Sequence, residues 1–262
     1  MPSEITPRLF RSLAAGLILG GLACGHALVQ ANTTPVGVFP TQAGDPPSPW
    51  RVIQLSAQVA PTQYKTRLWD GVAAVEARAD SSMALLARPL EVDLQATPVL
   101  CWRWRVDGVV KSANLATKAG DDYAARVYVA FKLPPDQLGF GLRAKLALAR
   151  SLYGDHVPDA AINYIWDNQH PVGTRRPNAY TDRTQMIVQR SGEQQAGAWV
   201  TERVNVLDDV RQAFGARQVK AHLLAVASDT DNTGEQAHAG FADLHFVGHE
   251  ANCQFPPLLK TP

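Results

Sequence analysis

The segment VLCWRWRV, residues 99–106, decides the fold class. Side chains alternate across an extended strand. Leu100, Trp102, Trp104 and Val106 therefore share one face, and Cys101, Arg103 and Arg105 share the other. YAARVYVAF, residues 123–131, repeats the pattern. Its apolar face is Tyr123, Ala125, Val127, Val129 and Phe131; Arg126 and Tyr128 point the other way. In INYIW, residues 162–166, Ile162, Tyr164 and Trp166 oppose Asn163 and Ile165. Each strand offers a face for a core and a face bearing Arg, Tyr or Asn. Placed side by side, the polar faces would form one wall carrying Arg103, Arg105, Arg126, Tyr128 and Asn163. Such a wall is either a solvated outer face with flattened Arg stems or a concave ligand surface.

Other short strand-like runs surround these, separated by turn signals: WRVIQL (50–55), TQYKTRLW (62–69), VAAVEARA (72–79), SMALLARPL (82–90), TQMIVQRS (184–191), AWVTERVNV (198–206), HLLAVAS (222–228) and GFADLHFVG (240–248). Their number and spacing suit a sandwich or barrel. No period of 20 to 50 residues repeats, which excludes solenoids and propellers. Two segments depart from the β pattern. Leu138, Leu142 and Leu146 form a helical stripe whose start is weakened by Gly139 and Gly141. NVLDDVRQAFG (205–215) has acids at its start and glycine at its end, as a short helix should.

Hydrophobic residues make up 46% of the 262 and charged residues 19%, enough for a full core and too apolar for a disordered chain. Arg8 and Arg11 precede an apolar stretch, residues 13–29, which ends in small residues at Val29 and Ala31. That layout is a secretory signal peptide, and it directs the chain to the periplasm or outside. Residues 32–49, rich in Pro, Thr and Gly, read as an extended N-terminal segment. Residues 50–250 then form a single sandwich domain and 251–262 a C-terminal tail. Cleavage after Ala31 would remove Arg8, Arg11 and Glu4 from 25 basic and 24 acidic side chains, leaving equal numbers. A neutral chain lacks the basic footprint of a non-specific nucleic-acid binder, and no stable transmembrane segment would remain. Two cysteines would remain too, Cys101 and Cys253. In an oxidising compartment they either pair, tying the tail to a central strand, or stay as two buried thiols.

The stretch SDTDNTG, residues 228–234, is the most concentrated polar motif. Asp229, Asp231, Thr233 and Gly234 loosely match the first half of an EF-hand loop, but the twelfth position is Gly240 where Glu is needed. The EF-hand is rejected. What is left is a strand connection whose Asp and Asn cap their own backbone, a ligand-gripping rim of Asp229, Asp231 and Asn232, or a calcium site of another type. A second acidic spot, AGDDYAAR (119–126), places Asp122 four residues before Arg126, an offset that suits a salt bridge on one sheet face. No nucleophile elbow, zinc motif, phosphate loop or dinucleotide fingerprint is present. His245 and His249 would lie roughly 13 Å apart along a strand, too far to share a metal. No cofactor is expected beyond the calcium alternative.

The order LCWRWRV, AGDDYAARVYVAF, INYIWDN, RSGEQQAGAWVTERVNVLDDVRQAFG, VASDTDNTGEQAHAGFADLHF resembles the bacterial family called domain of unknown function 3047, from about Trp50 to Val247. The resemblance implies an exported all-β protein and assigns no activity. The ending is also similar to the last strands of jelly-roll carbohydrate-binding modules, with Asp243 ahead of Leu244. The expectation is thus an all-β, jelly-roll-like antiparallel β-sandwich with one or two short helical insertions. Its expected role is to bind a glycan or other polar envelope component without chemistry. The alternatives are a jelly-roll glycan lyase (Arg126, His222 and Tyr128 as its groups) or hydrolase, and a structural or partner-binding envelope protein using Trp50, Trp69 and Trp199.

Overall fold

Sheet pairing in the computed structural model, which describes residues 33–153 and 157–260, resolves the alternating segments into two sheets. The signal-peptide reading of residues 1–31 lies outside the described residues. The strands are β1 (Thr34–Gly37), β2 (Arg51–Ile53), β3 (Gln63–Trp69), β4 (Val72–Asp80), β5 (Leu85–Pro89), β6 (Val99–Val106), β7 (Arg126–Lys132), β8 (Ala160–Asp167), β9 (Arg175–Pro177), β10 (Thr184–Ser191), β11 (Val200–Asn205), β12 (Lys220–Ala227) and β13 (Gln236–Val247). The first sheet runs β11-β6-β13-β4-β3, and β1 pairs with the distal half of β13. The second runs β2-β5-β12-β7-β8-β10-β9. All named pairs are antiparallel except β8 with β10. The architecture is a β-sandwich of two mostly antiparallel sheets.

The aromatic strand faces meet where the alternation places them. Trp102 and Trp104 of β6 lie 5.6 Å, ring to ring, from Tyr164 and Trp166 of β8 respectively. Leu100, Val106, Tyr123, Val127, Val129, Phe131 and Ile162 join the same core. Aromatic side chains bury the most area per residue, so these two facing strands set the spacing of the layers. The segment ahead of Trp50, expected to precede the domain, contributes β1 to the first sheet and Phe39 to the core, where Phe39 packs on Trp50 at 5.5 Å.

Two helices bridge strands. α1 (Phe140–Tyr153) begins after Gly139, so Leu138 packs just ahead of it and Leu142 and Leu146 from within it. α2 (Val206–Phe214) is capped by Asn205, whose side chain accepts from the Asp208 N–H, and stops at Gly215 in the left-handed region at φ 62°. No helix among the described residues is long and apolar enough to cross a membrane.

The outer face of β6 in the first sheet is partly covered by the chain's own tail. A disulfide joins Cys101 of β6 to Cys253, with Cα atoms 5.8 Å apart. Beyond it, the Leu259 N–H donates to the Gly71 carbonyl at 2.7 Å, and Phe255 lies 5.1 Å from the Arg103 guanidinium. His245 is satisfied in the neutral form: Nδ1 faces the Asp243 carbonyl at 2.6 Å and Nε2 accepts from the Gln254 N–H at 3.1 Å. Replacing Cys101 and Cys253 together by serine is expected to cost about 2–5 kcal/mol and to open Phe255 to chymotrypsin. Urea unfolding and limited proteolysis check both. A tail that stays resistant would show that the Arg103 and Phe255 contacts suffice to hold it.

Candidate functional site

The segment 228–234 and the loop ahead of β7 are built around one guanidinium. Arg126 is 2% exposed, and all five of its N–H bonds are used. Nε donates to Asp229 Oδ1 at 2.6 Å and one terminal nitrogen to Asp229 Oδ2 at 2.5 Å. The other terminal nitrogen reaches Asp121 Oδ1 at 3.3 Å and the Tyr128 hydroxyl at 3.2 Å. The Asp121 carbonyl takes the last, and the Tyr123 ring lies 4.5 Å below the guanidinium carbon. The expected pair of Asp122 with Arg126 is not the one formed. β7 starts only at Arg126, so residues 121–125 do not alternate as a strand and Asp121 turns to the guanidinium. Asp122 instead accepts from the backbone of Asn232 and Thr233, at 3.0 and 2.6 Å, and from the Asn232 side chain at 3.0 Å.

SDTDNTG is therefore a strand connection pinned from two sides. The Asp229 N–H donates to the Tyr123 carbonyl and the Tyr123 N–H to Asp229 Oδ1, both at 3.2 Å. Gly234, at φ 71°, supplies the positive backbone angle that turns the chain toward β13. The loop also forms one wall of a cavity of about 370 Å³ on the outer side of the second sheet. Asp121, Arg126, Tyr128, Asp229, Asp231 and Asn232 line it, joined by Asn178 and Tyr180 from the loop after β9 and by Leu55, Val59 and Met83. Tyr180 donates to Asn232 Oδ1 at 2.7 Å, and Asn178 donates to Asp121 Oδ2 at 2.8 Å. Sequence reasoning passed over Asn178, Tyr180 and the apolar trio, which sit in loops and short runs without any motif.

The single wall of five residues does not exist. Arg126, Tyr128 and Asn163 belong to the second sheet; Arg103 and Arg105 belong to β6 in the first and face away from it. Arg103 is held by Asp243 at 3.2 Å and the Pro256 carbonyl at 2.5 Å, beneath the tail. Arg105 is held by Asp70 at 2.5 Å and Asp107 at 2.9 Å, over the Trp69 ring at 4.2 Å. Alternation reports the face of a strand but not its sheet. Asn163 is fully buried and donates to Met186 Sδ at 3.3 Å. Trp50 and Trp69 are buried too, and Trp199 packs edge-on against Trp69 at 6.0 Å, so they form no exterior aromatic patch.

Charge in the cavity is one-sided. Asp121, Asp229 and Asp231 line it against one cation, Arg126, which is fully engaged. Burial, with Asp122 and Asp121 nearby, pushes Asp229 up to about 7 against the pull of Arg126. Burial works against the charge of Arg126, but Asp229, Tyr128 and Asp121 hold the guanidinium protonated, well above its ordinary range. Within the coupled group the guanidinium keeps its charge and Asp229 is the member that takes up a proton. Burial and Asp122 also raise Asp231. Asp122, Asp229 and Asp231 present oxygens within 4.8 Å of one another. As a calcium site the set falls short: both Asp229 oxygens and both Asp122 oxygens already accept N–H bonds, and calcium takes six to eight oxygen ligands.

His222 lies at the far end of β12, about 16 Å along the strand from Ala227, which pairs with Arg126, so the lyase trio is not brought together.

A family model described as protein of unknown function (DUF3047) matches residues 48–245, most of the chain. No curated protein matches the sequence. Among solved structures, endoglucanase 3 of Trichoderma harzianum, from family GH12, aligns over 78% of this chain and 99% of its own at 6% identity. The TM-score is 0.29, too low to support an inference from that protein.

The raised Asp229 has a signed consequence. Its folded value lies above the unfolded carboxylate range near 4, so the folded state binds more protons between about 4 and 7 and loses stability as pH rises through that window. His222 and His245, both held below their ordinary range by burial, contribute the opposite slope near their unfolded value of about 6.5. Comparing wild type with Asp229→Asn cancels the histidines. Wild type should lose several degrees of melting temperature relative to the variant between pH 5 and pH 8. A difference that is flat with pH would refute the assignment.

Proposed function

The chain belongs to the family described as protein of unknown function (DUF3047), and we propose that it is an exported, non-catalytic binding protein for a glycan or other hydroxyl-rich envelope component. The observation that carries this is the cavity's acidic lining, with Asp231 left to accept from a ligand. Its carboxylates outnumber its one cation, whose donors are all spent; Asp229 and Asp121 already accept from Arg126 and Asn178, so Asp231 is the lining carboxylate with capacity left for a ligand's donors. Sugar hydroxyls supply them, and a buried site built to accept them rejects analogues that lack them. Tyr180, 55% exposed, and Tyr128 offer flat faces with polar tips, and Leu55, Val59 and Met83 supply apolar lining. Aromatic rings of this kind suit the apolar side of a sugar. An acidic glycan gripped by Arg126 is disfavoured, because its carboxylate would meet Asp121, Asp229 and Asp231. Export is supported by the signal-like first 31 residues and by the disulfide, which suits an oxidising compartment.

A hydrolase is the second reading, favoured by the raised Asp229 beside Asp231. It is weaker because Arg126 occupies both Asp229 oxygens and the residue is 2% exposed, leaving no path for a proton to a glycosidic oxygen. The test is a panel of neutral oligosaccharides against the purified protein. A bound ligand at about 100 times its dissociation constant adds about 2.7 kcal/mol and raises the melting temperature. Tyr180→Ala should weaken binding about tenfold, roughly 1.4 kcal/mol, and Asp231→Asn should weaken it also, with the ligand recovered intact. Shortened products would establish the hydrolase instead. No shift from any neutral saccharide would end the glycan reading.

A further inference from the structure

β13 changes the face it turns to the core part-way along its length. Ala239 and Phe241 join the core, and Ala242 packs with Val72 and Ala74 on the other face. Beyond them the order is exchanged: Leu244 and Phe246 join the core and Val247 packs outside with Cys101. The register against β6 slips between Ala242 and His245, and Asp243 sits at φ 55°, a left-handed angle uncommon outside glycine. A bulge of this kind re-aims the side chains that follow it. An unbroken strand would turn His245 to the core; the bulged one sets it directly opposite Cys101. Opposed residues share a face, with Cβ atoms about 4.5–5.5 Å apart. The tail brings Cys253 to the same spot, and one nitrogen of His245 and the two sulfurs lie within 4.8 Å of one another.

We propose that, when the Cys101–Cys253 disulfide is reduced, the two thiolates and His245 Nε2 form a zinc site, with water in the fourth position. The imidazole is already oriented for this. Nδ1 faces the Asp243 carbonyl at 2.6 Å, which can only accept, so Nδ1 carries the proton and Nε2 the lone pair. A backbone carbonyl on the second ring nitrogen is the usual support of a metal-binding histidine. Nε2 now accepts from the Gln254 N–H at 3.1 Å. Gln254 adjoins Cys253, so opening the disulfide frees the stretch of tail that blocks the lone pair. Thiolate and imidazole are ordinary zinc ligands, and two thiolates balance the charge of the ion, as a buried site requires. Ligand atoms around tetrahedral zinc stand about 3.5–3.8 Å apart; Cys253, partly exposed and on the tail, is the member with room to move. The exchange balances. A dithiol reductant passes two electrons and two protons to the disulfide and becomes a disulfide itself, and zinc then displaces both thiol protons. Oxidation by a disulfide takes the two electrons back, draws two protons from water, and releases the metal with its charge unchanged. The proposal does not depend on what fills the acidic cavity.

The test uses the whole chain carrying Cys24→Ser, which leaves Cys101 and Cys253 as its only cysteines. Zinc is titrated, against a competing chelator, into the oxidised protein and into protein reduced with a phosphine. The reduced form should take up one zinc per chain, and cobalt in its place should give a thiolate-to-cobalt charge-transfer band. The oxidised form should do neither. Zinc should also raise the melting temperature of the reduced protein, because it binds the folded arrangement. His245→Ala should weaken uptake at least tenfold, and its oxidised form, with the disulfide intact, reports whether the variant folds. If it does not, X-ray absorption at the zinc edge of the reduced parent chain should count two sulfurs and a histidine nitrogen. No uptake by the reduced form overturns the proposal. So do equal uptake by both forms, no rise in melting temperature, an unchanged affinity in His245→Ala, or a zinc shell without histidine.

Discussion

The architecture of the polar face depends on one buried guanidinium. Arg126 enters from the first position of β7 and ties together the loop before that strand, through Asp121, and the loop after β12, through Asp229. Charge-assisted, two-point pairs of this kind are the stronger hydrogen bonds in proteins. Their net worth to stability is modest, because burying both charges costs several kcal/mol per ion. What the pair contributes is position. Removing one partner would leave a carboxylate or a guanidinium buried without compensation, a loss of about 3–5 kcal/mol. The two loops therefore have one low-energy arrangement, and the cavity between them is held open by bonds that are already made before a ligand arrives.

The same reasoning separates the two outer faces. β6 and β7 both set polar side chains opposite large apolar residues, Arg103 and Arg105 on β6, Arg126 and Tyr128 on β7. On β6 those arginines are sealed by Asp70, Asp107, Asp243 and a tail fastened through Cys101 and Cys253. On β7 the polar row stays open between loops. A disulfide closing so long a loop restricts the unfolded chain and also holds the tail over the Cys101 and Arg103 part of the first sheet's outer face.

The core was legible in the sequence because period-two alternation is a local property: Trp102, Trp104, Tyr164 and Trp166 meet where their spacing puts them. The pairing of Cys101 with Cys253 was legible only as one of two choices. Sheet membership was not legible, since Arg103 and Arg126 carry the same local signal and differ only in distant partners. The mistaken partner of Arg126 has a related cause. The offset from Asp122 to Arg126 assumes an extended chain, and residues 121–125 are not a strand. Asn178 and Tyr180 reach the cavity through a loop that no periodicity describes.

Bulk charge conceals the feature most relevant to binding. A chain with almost equal numbers of acids and bases nevertheless lines one cavity with Asp121, Asp229 and Asp231 against Arg126. Next to these, Tyr128 packs with Ile53, Ala87, Leu223 and Ala225 in a small apolar cluster. Mixed charge spread evenly would be a solvated surface and nothing more. Here the acidic side chains are gathered at the loop end of β7, with an apolar cluster beside them.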